Sequence, residues 1–219
     1  MENTFFHSTR FKQMPVIGII RNLSLKDIEQ ILPLYYVAGL TTIEITMNTP
    51  NASQMIRYAT KLFGDKLYIG AGTVCTSDDL EKAITAGSRF IVTPILNKEV
   101  IKTCIQKQVP VFPGAFTPTE IYTAWSWGAE MVKVFPVSQL GSSFIKELGG
   151  PLSQIKLLPT GGINLNNCID FMQAGAAGLG IGSQIFDHNL IENKNWNGLK
   201  ELFISFVNKL SNWYMNQPQ

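Results

Sequence analysis

The sequence predicts an α/β fold, specifically a (β/α)8 barrel of the TIM type, from three observations. Short β-rich runs alternate with helix-like segments along almost the whole chain, and glycines recur just before the predicted strands. The length of 219 residues, of which 45% are hydrophobic, suits one barrel domain with a sizeable core. Because strand-helix alternation implies parallel pairing, we expect a single domain over residues 1–219 with a parallel sheet.

Eight runs of mainly aliphatic and β-branched residues are the predicted strands. They are VIGIIR (16–21), TTIEITMN (41–48), LYIGAG (67–72), FIVTPI (90–95), VPVFPG (109–114), MVKVFP (131–136), IKLLPT (155–160) and AGLGIG (177–182). Eight units favour a barrel over a doubly wound sheet, which more often has five or six strands and a G-x-G-x-x-G turn near its start.

The segments between these runs have the apolar spacing of helices, and their boundaries are marked at both ends. Glycines that can end a helix in the left-handed conformation are Gly39, Gly87, Gly128 and Gly175. Residues that can cap a helix start are Ser24, Thr76 or Ser77, Asn97, Thr117 and Asn164, with Pro118 at a first helical position. We expect the first 13 residues to form a short helix at the barrel bottom, and residues 197–214 to form the closing helix before a loose tail after Trp213.

Composition argues against several classes of partner and cofactor. The charge is +2, with no run of five like charges that would indicate a nucleic-acid arm. No segment approaches the ~18 apolar residues that a membrane span needs. Cys75, Cys104 and Cys168 are odd in number and widely spaced, which indicates a reducing, cytoplasmic location. His7 and His188 are too few for a multi-histidine metal site or a Ser-His-Asp triad, so we expect no metal and no cofactor.

Two ionisable side chains are predicted to point into the barrel. Strand alternation in MVKVFP directs Lys133 and Phe135 inward, and in IEIT it directs Glu44 and Thr46 inward. A lone lysine would more simply reach water or pair with a carboxylate, and a structural ion pair stays an alternative. Because burying two opposite charges is expensive, their presence near the strand ends favours a working site. A lysine with a lowered pKa could attack a ketone while a carboxylate moves the protons.

Glycine turns supply a second candidate feature. Thr160-Gly161-Gly162 follows the seventh strand, and Gly182-Ser183 ends the eighth, where barrels often bind phosphate through loop amides and a helix N-terminus. The pair indicates a phosphorylated substrate as a hypothesis. The alternative is that these glycines only relieve crowding at tight turns.

Further residues at the strand ends could hold the rest of a substrate. Gly70-Ala71-Gly72-Thr73 leaves room, and the Thr73 hydroxyl is placed to bond a carboxylate, unless it only caps a helix. Arg21, at the end of the first predicted strand, could bind the same carboxylate through two hydrogen bonds from its planar guanidinium, or it could be a surface arginine. Cys75 is interpreted as a small packing residue.

Taken in order, EITMNTP (44–50), IGAGTV (69–74), VTP (92–94), FPG (112–114), VKVFP (132–136) and PTGGI (159–163) resemble the KDPG/KHG aldolase family. These are class I aldolases of 2-keto-3-deoxy-6-phosphogluconate (KDPG) and 4-hydroxy-2-oxoglutarate (KHG). The resemblance covers residues 14–187 and implies retro-aldol cleavage to pyruvate and glyceraldehyde 3-phosphate by a homotrimer.

The same resemblance assigns roles to individual residues. It implies that Lys133 forms the Schiff base and that Glu44 is the general acid/base. It also implies that Thr73 binds pyruvate, that Phe135 and Pro94 form walls, and that a phosphate binds at Gly161, Gly162 and Ser183.

Asn48 departs from the gluconate-type pattern, which has an arginine there. Members that cleave the 6-phosphogalactonate epimer resemble this chain in having asparagine at that position and an arginine where Arg21 stands. The alternatives are a 4-hydroxy-2-oxoglutarate aldolase, a non-catalytic barrel that binds a sugar phosphate, and a barrel isomerase or synthase.

Overall fold

The structure is a computed structural model that describes residues 8–216; residues 1–7 and 217–219, and with them His7 and the start of the predicted N-terminal helix, lie outside the described residues. Within residues 8–216 there are nine short strands and ten helices. The strands are β1 (Val16–Ile20), β2 (Thr42–Thr46), β3 (Tyr68–Gly72), β4 (Ile91–Val92), β5 (Val111–Phe112), β6 (Gly114–Ala115), β7 (Val132–Val134), β8 (Leu157–Pro159) and β9 (Leu179–Ile181). The helices are α1 (Ser8–Gln13), α2 (Leu25–Val37), α3 (Ala52–Phe63), α4 (Ser77–Thr85), α5 (Lys98–Gln106), α6 (Pro118–Ser126), α7 (Gly141–Gly149), α8 (Cys168–Gln173), α9 (His188–Glu192) and α10 (Trp196–Met215).

Every predicted strand run contains a strand, and one of the eight runs contains two, which gives nine strands within residues 8–216. The run at residues 109–114 holds both β5 and β6, because Pro113 separates them. Proline has no N–H to donate to a ladder. Its carbonyl still accepts a hydrogen bond from the Lys133 N–H at 2.9 Å, so the chain stays alongside β7 through the break.

The strands pair in parallel throughout and form two curled sheets, with a helix between successive strands except between β5 and β6. The larger sheet has the order β5-β4-β3-β2-β1-β9, and the smaller has the order β6-β7-β8. The register aligns Ile19 with Glu44, and Glu44 with Gly70. A further parallel bridge joins Thr160, just after β8, to Gly180 of β9. The α/β class and the parallel pairing are therefore confirmed.

Two apolar clusters lie on opposite faces of the strands. The cluster between strands and helices contains Ile43, Ile45, Val132 and Val134, as strand alternation predicts. The inner cluster consists of Phe11, Ile17, Tyr68, Phe90, Val92, Phe112, Met131 and Leu158. Ring centroids in this cluster lie 5.4 Å apart for Tyr68 and Phe90 and 5.5 Å apart for Phe90 and Phe112. Because Lys133 follows Met131 by two residues, it lies on the same inner face, one step closer to the carboxyl ends of the strands.

Local boundary chemistry explains most of the helix ends. The four predicted helix-ending glycines all have positive φ angles, between 94° and 100°. Ser24, Thr76 and Thr117 form capping boxes, and Asn97 caps α5.

Two boundary predictions are wrong. Asn167, not Asn164, is the residue before α8, because the Asn164 side chain instead accepts a hydrogen bond from the Asn166 N–H in a preceding turn. The chain after Trp213 is not loose at once, since α10 continues to Met215. None of the helices within residues 8–216 is both long and apolar enough to cross a membrane.

Candidate active site

Lys133 and Glu44 both lie inside the curled sheet, on β7 and β2. Their exposed fractions are 2% and 1%, so water hardly reaches either side chain. Among the described residues, the ion pairs with an N to O distance within 4.0 Å lie at the surface and do not include these two groups. This separation argues against the alternative that the two residues are only a structural ion pair.

Burial shifts the pKa values of both groups toward their neutral forms. The pKa of Lys133 is lowered mainly by burial; the carboxyl of Glu44 opposes the shift, and the guanidinium of Arg21 adds to it. The pKa of Glu44 is raised by burial, against the smaller opposing effects of Lys133 and Arg21. A neutral amine is a nucleophile and a protonated carboxyl is a proton donor, so both shifts favour the reactive forms.

The immediate surroundings of the two groups are sparse in polar contacts. Oε1 of Glu44 is buried and has no hydrogen-bond partner among the described residues. Nζ of Lys133 lies 5.1 Å from the ring centroid of Phe135, which is half-buried. The carboxyl therefore keeps an oxygen available for a proton or a substrate hydroxyl, and Phe135 forms one wall beside the amine.

A cavity of about 230 Å³ opens where β1, β8 and β9 end. Apart from aliphatic side chains, its lining comprises Arg21, Asn22, Phe135, Thr160, Gly161, Gly162, Gly180, Gly182, Ser183, Gln184, Phe186 and His188. Seven of the residues that the sequence singled out for substrate binding are thus brought to one cavity. Phe135 joins this cavity to the buried amine of Lys133.

The glycine turns present unpaired amides to this cavity. Gly161 and Gly162 have φ angles of 102° and 74°, which side-chain-bearing residues rarely adopt. Among residues 8–216, no protein group accepts a hydrogen bond from the backbone N–H of Gly161, Gly162 or Ser183. Residues 183–185 form a turn rather than a helix, so loop amides and not a helix N-terminus face the cavity after β9. Such a group of N–H donors is suited to an anion.

Three predicted binding residues do not line this cavity. Asn48 is exposed after β2, Thr73 is half-buried after β3 with a φ of 54°, and Pro94 is half-buried after β4. Thr73 is not a helix cap, because Thr76 caps α4. All three follow strands of the larger sheet, so they lie toward the same strand ends as the amine but away from the glycine turns.

Several residues near the site were not anticipated. Cys75, interpreted from the sequence as a packing residue, is half-buried after β3. Its pKa is raised by burial and by Asp79, against the opposing effect of Lys133. Asn22, Gln184 and His188 line the cavity, although no sequence pattern singled them out for binding.

A hydrogen-bonded pair of threonines joins the loops after β1 and β2. The hydroxyls of Thr46 and Thr49 lie 2.9 Å apart, and Thr49 Oγ1 accepts a hydrogen bond of 3.0 Å from the Asn22 N–H. Both threonines are buried. This contact fixes the backbone next to Arg21, which is one of the residues that line the cavity.

Comparison with known proteins places this site in a family context. The family model described as KDPG and KHG aldolase matches residues 8–202. The 2-dehydro-3-deoxy-6-phosphogalactonate aldolase of Escherichia coli K12 is 34% identical over 175 residues, which cover 80% of this chain and 85% of that protein. The 2-dehydro-3-deoxy-phosphogluconate aldolase of Haemophilus influenzae is 33% identical over 197 residues, covering 88% and 91%.

Solved structures give the same picture. A structure described as native KDPGal is similar with a TM-score of 0.86 at 30% identity, over 92% of this chain and 97% of that one. KDPG aldolase from Legionella pneumophila, with pyruvate captured as a covalent carbinolamine, is similar with a TM-score of 0.84 at 29% identity, over 91% and 97%.

Proposed function

The chain belongs to the KDPG and KHG aldolase family, and we propose that it is a class I aldolase that cleaves a 2-keto-3-deoxy-6-phospho sugar acid. The products would be pyruvate and glyceraldehyde 3-phosphate. The observation that carries the proposal is the buried amine of Lys133, which forms no ion pair within 4.0 Å among the described residues. The carboxyl of Glu44 lies in the same interior, and the cavity lined by the glycine turns lies beside it.

In the proposed cleavage, Lys133 forms the covalent bond to the substrate and Glu44 transfers the protons. The neutral amine of Lys133 adds to the C2 carbonyl carbon, and Glu44 supplies the proton with which the resulting hydroxyl leaves as water. Glu44, now a carboxylate, takes the proton of the C4 hydroxyl as the C3–C4 bond breaks. The electron pair of that bond moves into the iminium and gives an enamine on Lys133. Protonation at C3 and hydrolysis release pyruvate and restore the amine.

The phosphate end of the substrate is assigned to the glycine turns. Gly161, Gly162 and Ser183 offer backbone N–H groups for which residues 8–216 provide no acceptor, and Thr160 and Gly182 line the same cavity. A phosphorylated substrate satisfies these donors. An unphosphorylated 4-hydroxy-2-oxoglutarate would not reach them, so we place it second.

The carboxylate end is assigned to Thr73 and Arg21, with Pro94 and Phe135 as walls beside the amine. Asn48 carries no charge, so the guanidinium of Arg21 is the cation available for a carboxylate or a neighbouring hydroxyl. The E. coli relative named for the galactonate substrate favours the galactonate epimer as the first to assay.

We further propose that the two sheets close into one (β/α)8 barrel forming a single domain over the whole chain. The bridge between Thr160 and Gly180, and the continuity of the chain across Pro113, support closure on both sides. A homotrimer and a cytoplasmic location are proposed from the family resemblance and from the three free cysteines.

Borohydride trapping with pyruvate tests the proposal directly. A stable pyruvyl adduct should form on Lys133 and should be absent from the Lys133→Met variant. No adduct on folded parent protein would refute the Schiff base, and binding of a sugar phosphate without an adduct would favour a non-catalytic barrel. A coupled pyruvate-release assay should then compare the galactonate, gluconate and hydroxyoxoglutarate substrates.

A further inference from the structure

Gly72, the last residue of β3, lies directly against the carboxyl group of Glu44. A methyl group built at position 72 would overlap Oε1 of Glu44 and would lie 2.6 Å from Cδ and 3.3 Å from Cγ. Gly72 is not among the glycines with a positive φ angle, so its backbone conformation is open to other residues. Space for the Glu44 side chain, and not backbone freedom, is therefore what requires glycine here.

The neighbouring interior glycine shows that this arrangement is specific to position 72. Gly70 lies two residues earlier on the same face of β3, and a methyl group there would meet the ring of Phe90 at 2.6 Å. Gly70 thus makes room for an aromatic ring of the inner core. Gly72 instead makes room for the buried carboxyl of Glu44, on the adjacent strand β2.

Glu44 has few other means of staying in place. Oε1, the atom that a methyl group at position 72 would overlap, has no hydrogen-bond partner among residues 8–216. The side chain is only 1% exposed, so a displaced carboxyl cannot turn into water. Van der Waals packing against the backbone of Gly72 therefore holds Oε1 in place. This packing leaves the lone pairs of the oxygen free to accept a proton.

We propose that Gly72 is a positioning residue that sets the carboxyl of Glu44 for proton transfer opposite Lys133. The inference rests on the proposed function, since the carboxyl has a proton-transfer task only in that reaction. A side chain at position 72 displaces the carboxyl from the substrate's hydroxyl while leaving the amine of Lys133 untouched.

The kinetic test compares Gly72→Ala with the parent and with Gly149→Ala, a matched control because nothing lies within 4 Å of a methyl group built at Gly149. We expect kcat of Gly72→Ala to fall about tenfold or more, with the roughly 10²–10⁴-fold that general acid/base catalysis contributes as the upper limit. The pH profile of kcat should move, and pyruvate trapping on Lys133 should still reach completion. Gly149→Ala should match the parent.

Aspartate at position 44, whose side chain is shorter than that of glutamate, should leave room for a methyl group at position 72. In the Glu44→Asp background, Gly72→Ala should cost clearly less in kcat than it does in the parent. An unchanged kcat and pH profile in Gly72→Ala, or an equal fold-loss in both backgrounds, would overturn the proposal.

Melting temperatures test the same contact without an activity assay. They remain informative if Gly72→Ala folds too poorly for kinetic measurements. Gly72→Ala should lower Tm by several degrees in the parent but should have little effect in the Glu44→Ala background, where the carboxyl is absent. An equal drop in both backgrounds would refute the fit. If the parent traps no pyruvate, the proposed function fails while this comparison still decides the contact.

Discussion

Replacing Lys133 with methionine should make the protein more stable while abolishing turnover. The side chain is 2% exposed, and its amine forms no ion pair within 4.0 Å in the described part of the chain. Methionine has a similar length, is flexible enough to fill the same space, and carries no charge to desolvate. A residue kept at a cost in folding free energy is expected where it serves the reaction.

The magnitude follows from the contacts of the amine. Replacing buried charged groups with apolar side chains of similar volume is neutral or stabilises by about 1–4 kcal/mol. The Phe135 ring, 5.1 Å from Nζ, offsets part of this through a cation–π contact of about 0.5–2 kcal/mol when the amine is charged. We therefore expect a gain of about 1–3 kcal/mol, or about 2–4 °C in Tm for each kcal/mol. Glu44 does not become an unpaired charge, because loss of the nearby cation raises its pKa further.

The sign of the pH dependence follows from the lowered pKa of Lys133. Between that lowered pKa and the ordinary value near ~10.4, the unfolded chain binds more protons than the folded chain, so parent stability rises with pH. The advantage of Lys133→Met should accordingly be largest below the lowered pKa and should shrink as pH rises through this window.

Urea unfolding followed by tryptophan fluorescence, with equal m values for parent and variant, measures the difference. Lys102→Met is the matched control, because Lys102 is an exposed lysine of α5 and its loss should change stability by less than about 0.5 kcal/mol. If Lys133→Met were less stable than the parent near neutral pH, the amine would be stabilised where it lies and the reasoning would fail.

Three further predictions concern the proton carrier, the cation and a contact between α2 and the strands β1 and β2. Glu44→Gln cannot exchange a proton, so kcat in the pyruvate-release assay should fall by about 10²–10⁴-fold while Lys133 still traps pyruvate; a kcat within about threefold of the parent would exclude the role. Arg21→Ala should raise KM for the keto acid about ten- to hundredfold, which corresponds to the loss of a charged hydrogen bond of about 1.5–3 kcal/mol. Arg21→Lys should have a KM between those of the parent and Arg21→Ala. An unchanged KM in both variants would show that Arg21 does not bind the substrate. Tyr35→Phe should lower the urea-derived stability by about 1–3 kcal/mol with activity retained, because the Tyr35 hydroxyl accepts from the Gly18 N–H at 3.1 Å and donates to the Thr42 carbonyl at 2.8 Å; an unchanged midpoint would show that water replaces it.

Rules that act over a few residues were enough to predict much of this structure. Alternation along a strand placed Glu44 and Lys133 on the inner face, because successive side chains of a strand point to opposite sides. Cap chemistry located the starts of α2, α4, α5 and α6, since a side-chain oxygen there satisfies amides of its own helix. The same rule failed at Asn164, where a polar side chain had a turn of its own to stabilise.

The convergence of distant loops could not be predicted in this way. Cys75 and Lys133 are far apart in sequence, and only the curl of the sheet makes their electrostatic interaction possible. His188 follows the last strand in a segment without a binding pattern, yet it lines the cavity together with Arg21 from the first strand. Such pairs meet only when strands that are far apart in sequence pack together. A single sequence does not show which of its distant residues will meet.

Arg21 shows why binding and reactivity are coupled in this cavity. Arg21 lines the cavity together with the glycine turns, and its charge lowers the pKa of Lys133 and opposes the rise in the pKa of Glu44. An anionic group of the substrate placed against Arg21 would partly cancel that field. The amine would then gain proton affinity at the moment when it must attack, unless Glu44 is protonated and adds no further negative charge. The raised pKa of Glu44 limits this gain, because a protonated carboxyl adds no further negative charge beside the amine.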